Sequence, residues 1–170
     1  MSTTALEVKN LITEFVTEDE SVRAVNGVGF TLHKSEVVGV VGESGSGKSV
    51  TALSIMRLIS SPGNIRQGEI LYNHPEKGII DLLKLKEKEM RTYRGKCISM
   101  IFQEPMTSLN PVYTNGNQVA EAIILHEKVS KKEAREKTIH LFNEVNLPRP
   151  EIMFDSYPHQ LSGGQKQRVM

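Results

Sequence analysis

Apolar and polar positions alternate along the start of the chain, through Leu6 and Val8 and on to Leu11, Ile12 and Phe15. VRAVNGVGFTLH resumes the pattern after the polar stretch TEDES. A period of two marks a half-buried strand, so this region is predicted to form antiparallel β structure. EVVGVV, Glu36 to Val41, is instead continuously apolar and β-branched, which predicts a strand buried on both faces of a parallel sheet. It runs directly into the glycine-rich GESGSGKS. From Ser49 the run SVTALSIMRLI sets Ala52, Leu53, Met56 and Ile59 at helical spacing, and SSPG stops that helix.

A second buried strand is predicted at CISMIF, Cys97 to Phe102. The two prolines and Asn110 of the following QEPMTSLNP preclude regular structure. The pattern then turns helical. GNQVAEAIILHEK and VSKKEAREKTIHLFNEVNL both carry apolar stripes, the second with Ala134, Leu141, Phe142 and Val145 on one face and with Ser130 and Glu133 in capping-box register. No internal repeat or low-complexity tract interrupts this order of β-rich start, α/β core and helical part.

Composition excludes several classes. With 170 residues, 38% of them hydrophobic and 24% charged, the chain fits one domain with a real core. No apolar run approaches the roughly 20 residues that span a bilayer, and the first residues lack the basic start and apolar block of a secretory signal. The single cysteine, Cys97, rules out a disulfide framework within the chain and a cysteine-rich metal site, and suits a reducing cytosol. A net charge of +1, with basic and acidic residues interleaved as in KLKEKEMR, gives no basic stripe for a phosphate backbone, so no nucleic-acid partner is expected.

GESGSGKS, Gly42 to Ser49, fits the pattern G-x-x-x-x-G-K-[ST]. Gly42, Gly45 and Gly47 permit backbone conformations in which successive N–H groups converge on a phosphate, and the helix that follows adds its positive end. Lys48 offers a point charge to the β and γ phosphates, and the Ser49 hydroxyl can ligate the Mg²⁺ that bridges them. An ordinary glycine turn would also join a strand to a helix. The strand before and the helix after favour a nucleoside triphosphate with Mg²⁺ as the ligand.

Two further stretches narrow the class. LSGGQKQR, Leu161 to Arg168, resembles the signature sequence of ABC ATPases, and FQEP, Phe102 to Pro105, resembles their Q-loop. The longer runs VVGESGSGKS, IFQEPMTSLNP and YPHQLSGGQKQR resemble the ATP-binding subunits of oligopeptide, dipeptide and nickel permeases, and the likeness extends over the chain from about Leu6. It implies an α/β P-loop NTPase core with an antiparallel β subdomain and a helical subdomain. The parts would run over about 1–35 for the antiparallel β portion, 36–103 for the core, and 104–165 for the Q-loop and helical portion ending in the signature.

The same resemblance implies a site. Gly42, Glu43, Ser44, Gly45, Ser46, Gly47, Lys48, Ser49 and Val50 would surround the phosphates of ATP, with Phe15 stacked on adenine and Ser49 and Gln103 at the Mg²⁺ ion. Ser162, Gly163, Gly164 and Gln165 would face the γ-phosphate held by a second ABC ATPase subunit, identical or related, so that Lys48, Gln103 and, in trans, Ser162 serve hydrolysis. Ser35 departs from the glycine that the family usually places before Glu36. The implied partners are two transmembrane permease subunits, contacted near Gln103 and by the helices from Gly116 to Leu147, and indirectly a periplasmic or extracellular solute-binding protein. The implied place is the cytoplasmic face of the cell membrane, peripherally held, and the implied work is ATP-driven import of peptides or similar small solutes.

Other readings stand beside this one. A soluble ABC ATPase of DNA repair or translation would share the loop and the signature, and a small P-loop kinase would not need LSGGQ. Family members also carry, after the signature, a strand ending in Asp-Glu and a switch histidine, whereas this sequence ends five residues after Gln165. The 170-residue chain alone is therefore expected to bind nucleotide at most and to be marginally stable, with the C-terminal part of the core missing. Cys97 is expected to be inert packing, His159 structural, and the mixed charges from Lys84 to Lys96 a solvated face.

Overall fold

In the computed structural model, which describes residues 3–102 and 108–170, the alternating N-terminal segments pair as their period demands. Strand β1 (Thr4–Val16) runs antiparallel to β2 (Ser21–His33), with Leu6 opposite Leu32 and Thr13 opposite Val25. Strand β3 (Gly63–His74) pairs with the other edge of β1, and the short β4 (Gly78–Asp81) pairs with β3. The sheet order is β2-β1-β3-β4, antiparallel throughout. Val8, Leu11, Val25 and Ile70 are buried from its strands, as are Leu82, Met90 and Tyr93 from the segment that follows β4. β3 and β4 escape a reading by periodicity, because GNIRQGEILYNH interrupts its apolar positions with charges and two glycines.

Helix α1 (Lys48–Ile55) follows the glycine loop, as the spacing of its apolar residues predicts. It ends at Met56 and Arg57, ahead of SSPG, where Arg57 takes a left-handed conformation. Its buried helical residues are Thr51 and Ser54, not Ala52 and Leu53, which are only partly covered. Helix α2 (Glu87–Tyr93) lies within the charged stretch expected to be a solvated face. That expectation needs correction, since Met90 and Tyr93 are buried and Arg94 donates to Glu87 and to the Met56 and Arg57 carbonyls that end α1.

Two predicted strands are not formed. Residues 37–41 have no ladder partners, and Val37 and Val41 are 96% and 95% exposed instead of buried on both faces. The composition of EVVGVV suits a central strand, but a central strand requires neighbours on both edges, and no described segment pairs with it. CISMIF likewise forms no strand: Cys97 ends a turn, and Ile98 makes only an isolated bridge, its carbonyl accepting from the Gly95 N–H. Ile101 is exposed and Cys97 is half-buried, not packed inside.

The chain divides into units Met1–Arg94 and Gly95–Met170. The second unit is helical, with α3 (Asn115–Glu127), α4 (Lys131–Glu144), α5 (Pro150–Asp155) and α6 (Gly163–Val169). The predicted capping box starts α4: Ser130 Oγ accepts from the Glu133 N–H, and the Glu133 carboxylate accepts from the Ser130 N–H at 2.9 Å. Ala120, Ala134, Phe142, Leu147, Phe154 and Leu161 form the centre of its core. Of the stripe predicted for α4, Ala134 and Phe142 are buried while Leu141 and Val145 are exposed, and the third inward position belongs to Thr138, whose hydroxyl is satisfied by the Ala134 carbonyl at 2.8 Å. Among the described residues no helix is long and apolar enough to cross a membrane.

Candidate functional site

The glycine loop is held from two sides. Gly47 is the N-cap of α1 with φ +88°, a conformation that side chains disfavour, and a Cβ built on it would overlap the Ala24 carbonyl oxygen of β2. Glycine is therefore required there twice, for its dihedral and for the close seat of the loop on the sheet. Gly45 is also left-handed, φ +83°, but opens onto empty space, and a Cβ on Gly42 would lie 2.6 Å from Ser46 Oγ. The Thr51 N–H and hydroxyl both donate to the Gly47 carbonyl, at 2.8 and 2.9 Å, which ties the loop to the first turn of the helix.

The Lys48 ammonium curls back over this loop. Nζ donates to the carbonyls of Gly42 and Glu43 at 2.7 and 2.6 Å and to Ser46 Oγ at 3.3 Å, so the loop wraps around a positive charge. Because Gly47 has no side chain to cap the helix, the first N–H groups of α1 receive no side-chain acceptor. A glycine cradle, an uncapped helix start and a lysine steered by loop carbonyls form a donor set suited to the phosphates of a nucleotide. Ser49 is exposed at the first turn, and Ser44 and Glu43 are exposed in the loop, while Val50 is partly covered behind it. No group of three or more His, Cys, Asp or Glu side chains among the described residues could hold a metal by itself, so a cation here would need phosphate oxygens as well as the Ser49 hydroxyl.

Phe15 lies two residues beyond Thr13 on β1 and opposite Gly63 on β3. A Cβ on Gly63 would come within 2.6 Å of the Phe15 ring and 2.5 Å of an Ile59 methyl, so glycine lets the ring rest on the β3 backbone. The ring is half-buried, compatible with one face packed and the other available. Thr13 shares its side of the strand with Phe15, by the period of two, and its hydroxyl meets Ser54 Oγ of α1 at 2.8 Å. Neither Thr13 nor Ser54 is apparent in a motif. The available signal is a threonine between Leu11 and Phe15 at the spacing of two that marks the apolar face of the strand.

In the second unit Ser162 is the N-cap of α6 and Gly163 and Gly164 are its first residues. Ser162 and Gln165 satisfy each other, the Ser162 N–H donating to Gln165 Oε1 at 2.8 Å and Ser162 Oγ accepting from the Gln165 N–H at 3.3 Å. His159 is exposed and stacked on Tyr157, with ring centroids 5.7 Å apart. A groove of about 620 Å³ in this unit is lined by Asn117, Glu121, Leu125, Lys131, Arg135 and Phe154, among others, and the Arg135 guanidinium lies 4.3 Å from the centre of the Phe154 ring. Gln103 lies outside the described residues.

Residues 25–170 match the family model described as ABC transporter. The chain is 48% identical, over 99% of its length, to the oligopeptide transport ATP-binding protein OppD of Bacillus subtilis, and 49% identical over 98% to AppD of the same organism. It is 45% identical over 97% to the glutathione import ATP-binding protein GsiA of Pectobacterium atrosepticum. These alignments span 46%, 50% and 27% of the respective relatives, so the chain covers about half their length or less. Among solved structures, a dimeric bacterial ABC transporter cassette, MJ0796, superposes with a TM-score of 0.80 at 26% identity, over 96% of this chain and 66% of that one. The same cassette is also known in a post-hydrolysis state bound to ADP and Pi, with the same TM-score and coverage.

Proposed function

This chain belongs to the ABC transporter family, and from that membership we propose that it carries the ATP-binding site of a subunit that drives import of peptides or similar small solutes. The observation that carries the reading is the loop around Lys48: left-handed Gly45 and Gly47, a helix start without a side-chain cap, and an ammonium group steered by the Gly42 and Glu43 carbonyls. Backbone N–H groups and the Lys48 charge bind and orient the phosphate chain, and the Phe15 ring stacks against the base. The Ser49 hydroxyl and Gln103 are the residues that would hold Mg²⁺, which when bound would supply positive charge to offset that of the phosphates.

The signature residues Ser162, Gly163, Gly164 and Gln165 act in this reading on the nucleotide of a second cassette, an arrangement supported by the dimeric state of the MJ0796 structure. The Ser162–Gln165 capping box pairs two backbone N–H groups at that helix start. The apolar groove between Leu125 and Phe154, edged by Glu121, Lys131 and Arg135, is the place for permease subunits to attach. Such attachment would keep the chain at the cytoplasmic face of the membrane, with a solute-binding protein delivering cargo from the other side. The substrate class follows the oligopeptide and glutathione systems named for the relatives.

The decisive experiment is nucleotide binding by the 170-residue chain and by Lys48→Ala, measured by equilibrium dialysis of ATP with Mg²⁺. Binding by the wild type that is lost in the variant is expected. Equal binding by both would overturn the assignment of the loop.

A further inference from the structure

The side chains of Thr13 and Ser54 hydrogen-bond the strand of Phe15 to the helix of Lys48. Both are 0% exposed, and their hydroxyl oxygens are 2.8 Å apart. Ser54 Oγ also donates to the Val50 carbonyl at 2.7 Å. Since a serine has one hydroxyl proton, that donation leaves Ser54 as acceptor towards Thr13. The chain of donation runs from Thr13 to Ser54 to Val50.

We propose that this buried hydroxyl pair is a positioning device that sets the distance between the base-stacking ring and the phosphate cradle, and so matches the site to a whole nucleotide instead of a phosphate chain alone. The proposal rests on the nucleotide reading of the loop. Its geometric basis is the placement of the pair. Phe15 is two residues from Thr13 on the same side of β1, about 7 Å along the strand, and Lys48 is six residues from Ser54, about 9 Å along the helix. A second support lies beside it, where Gly47 sits on Ala24 and Thr13 pairs with Val25 of the same strand. Among the described residues no other side-chain hydrogen bond joins β1 to α1. Apolar contacts alone would let the helix slide on the sheet, whereas a hydrogen bond has a preferred direction and length that fix its register.

The device has a readout that a merely structural role lacks. Loss of register should weaken a ligand that must reach both Phe15 and Lys48, and spare one that touches only the cradle. Dissociation constants for ATP and for inorganic tripolyphosphate, each with Mg²⁺, would be measured on the 170-residue chain, on Thr13→Val and Ser54→Ala, and on Thr13→Ser, which keeps the hydroxyl. The expected result is about a fivefold to tenfold loss of ATP affinity in Thr13→Val and Ser54→Ala, with tripolyphosphate binding within about twofold of wild type. Thr13→Ser should restore ATP binding, and Thr13→Val added to Phe15→Ala should cost nothing more. A parallel fall for both ligands, or no change in ATP affinity, overturns the proposal. A wild type that binds tripolyphosphate as well as ATP overturns it too, leaving the cradle intact, whereas a wild type that binds neither removes the nucleotide reading itself. If Ser54→Ala does not fold, the comparison of Thr13→Val with Thr13→Ser decides alone.

Discussion

Gly47 is seated against Ala24: a Cβ at position 47 would overlap the carbonyl oxygen of the neighbouring strand. Together with its φ of +88° this contact makes the second half of the glycine loop a junction between sheet and helix. The fold places Lys48 by way of this junction, because the residue that caps α1 is also the residue that touches β2.

Gly47 and Gly45 should therefore respond differently to alanine. At Gly45 only the left-handed conformation opposes a side chain, at about 1–2 kcal/mol, since nothing lies within 4 Å of the new methyl. Gly47→Ala adds a clash with backbone that cannot turn aside. ATP affinity measured by titration is expected to fall about tenfold in Gly45→Ala and to vanish in Gly47→Ala.

The acid limb of stability should depend on Glu87. Its carboxyl is held below the usual range by the hydrogen bond from Arg94, at 2.6 Å, with the charges of Arg94, Arg57 and Arg91 adding to that effect and desolvation opposing it. A carboxyl whose pKa falls on folding contributes stability that is complete above its unfolded value of about 4.5 and disappears as pH drops through the folded value. Urea midpoints measured from pH 6 to pH 3 are expected to fall less steeply in Glu87→Gln than in wild type. Some slope remains, because the Ser130 side chain and N–H hold Glu133 low in the same direction.

Phe142 and Leu141 share a predicted stripe but not a fate. Phe142 is 2% exposed in the core of the helical unit, and Leu141 is 41% exposed. Phe142→Ala is expected to destabilise that unit by about 3–5 kcal/mol, and Leu141→Ala by well under about 1 kcal/mol. Hydrogen exchange of the amides in 115–169 would report both values locally, and equal loss of protection would contradict the placement of α4.

Local grammar was legible in the sequence where it was self-sufficient. The Ser130–Glu133 capping box and the alternating β1 and β2 carry their instructions within a few residues and appear as read, and of the three loop glycines Gly45 and Gly47 take the left-handed conformation while Gly42 does not. The burial of EVVGVV and CISMIF was not legible in the same way, because it depends on partner strands, and Val37 and Ile101 lie exposed where no described strand pairs with them. In the candidate site the motif gave the cradle. It did not give the supports: Gly63 beneath Phe15, Ala24 beneath Gly47, or the Thr13–Ser54 bond, each of which joins residues distant in sequence.

That bond also implies an asymmetry in stability. Removing the acceptor in Ser54→Ala leaves the Thr13 hydroxyl without a partner at a fully buried position, which costs about 1–3 kcal/mol. Removing the donor in Thr13→Val leaves Ser54 satisfied by the Val50 carbonyl and replaces a hydroxyl by a methyl of similar size, so the loss is nearer the net worth of one hydrogen bond, about 0.5–1.5 kcal/mol. In the double variant no orphaned hydroxyl remains, and the penalty of Ser54→Ala is partly relieved. Urea midpoints of the four proteins should then place Thr13→Val/Ser54→Ala at or above Ser54→Ala alone, a coupling opposite in sign to simple accumulation of damage. Strictly additive losses would mean that the hydroxyls do not depend on each other, and the direction of donation from β1 into α1 would have to be abandoned.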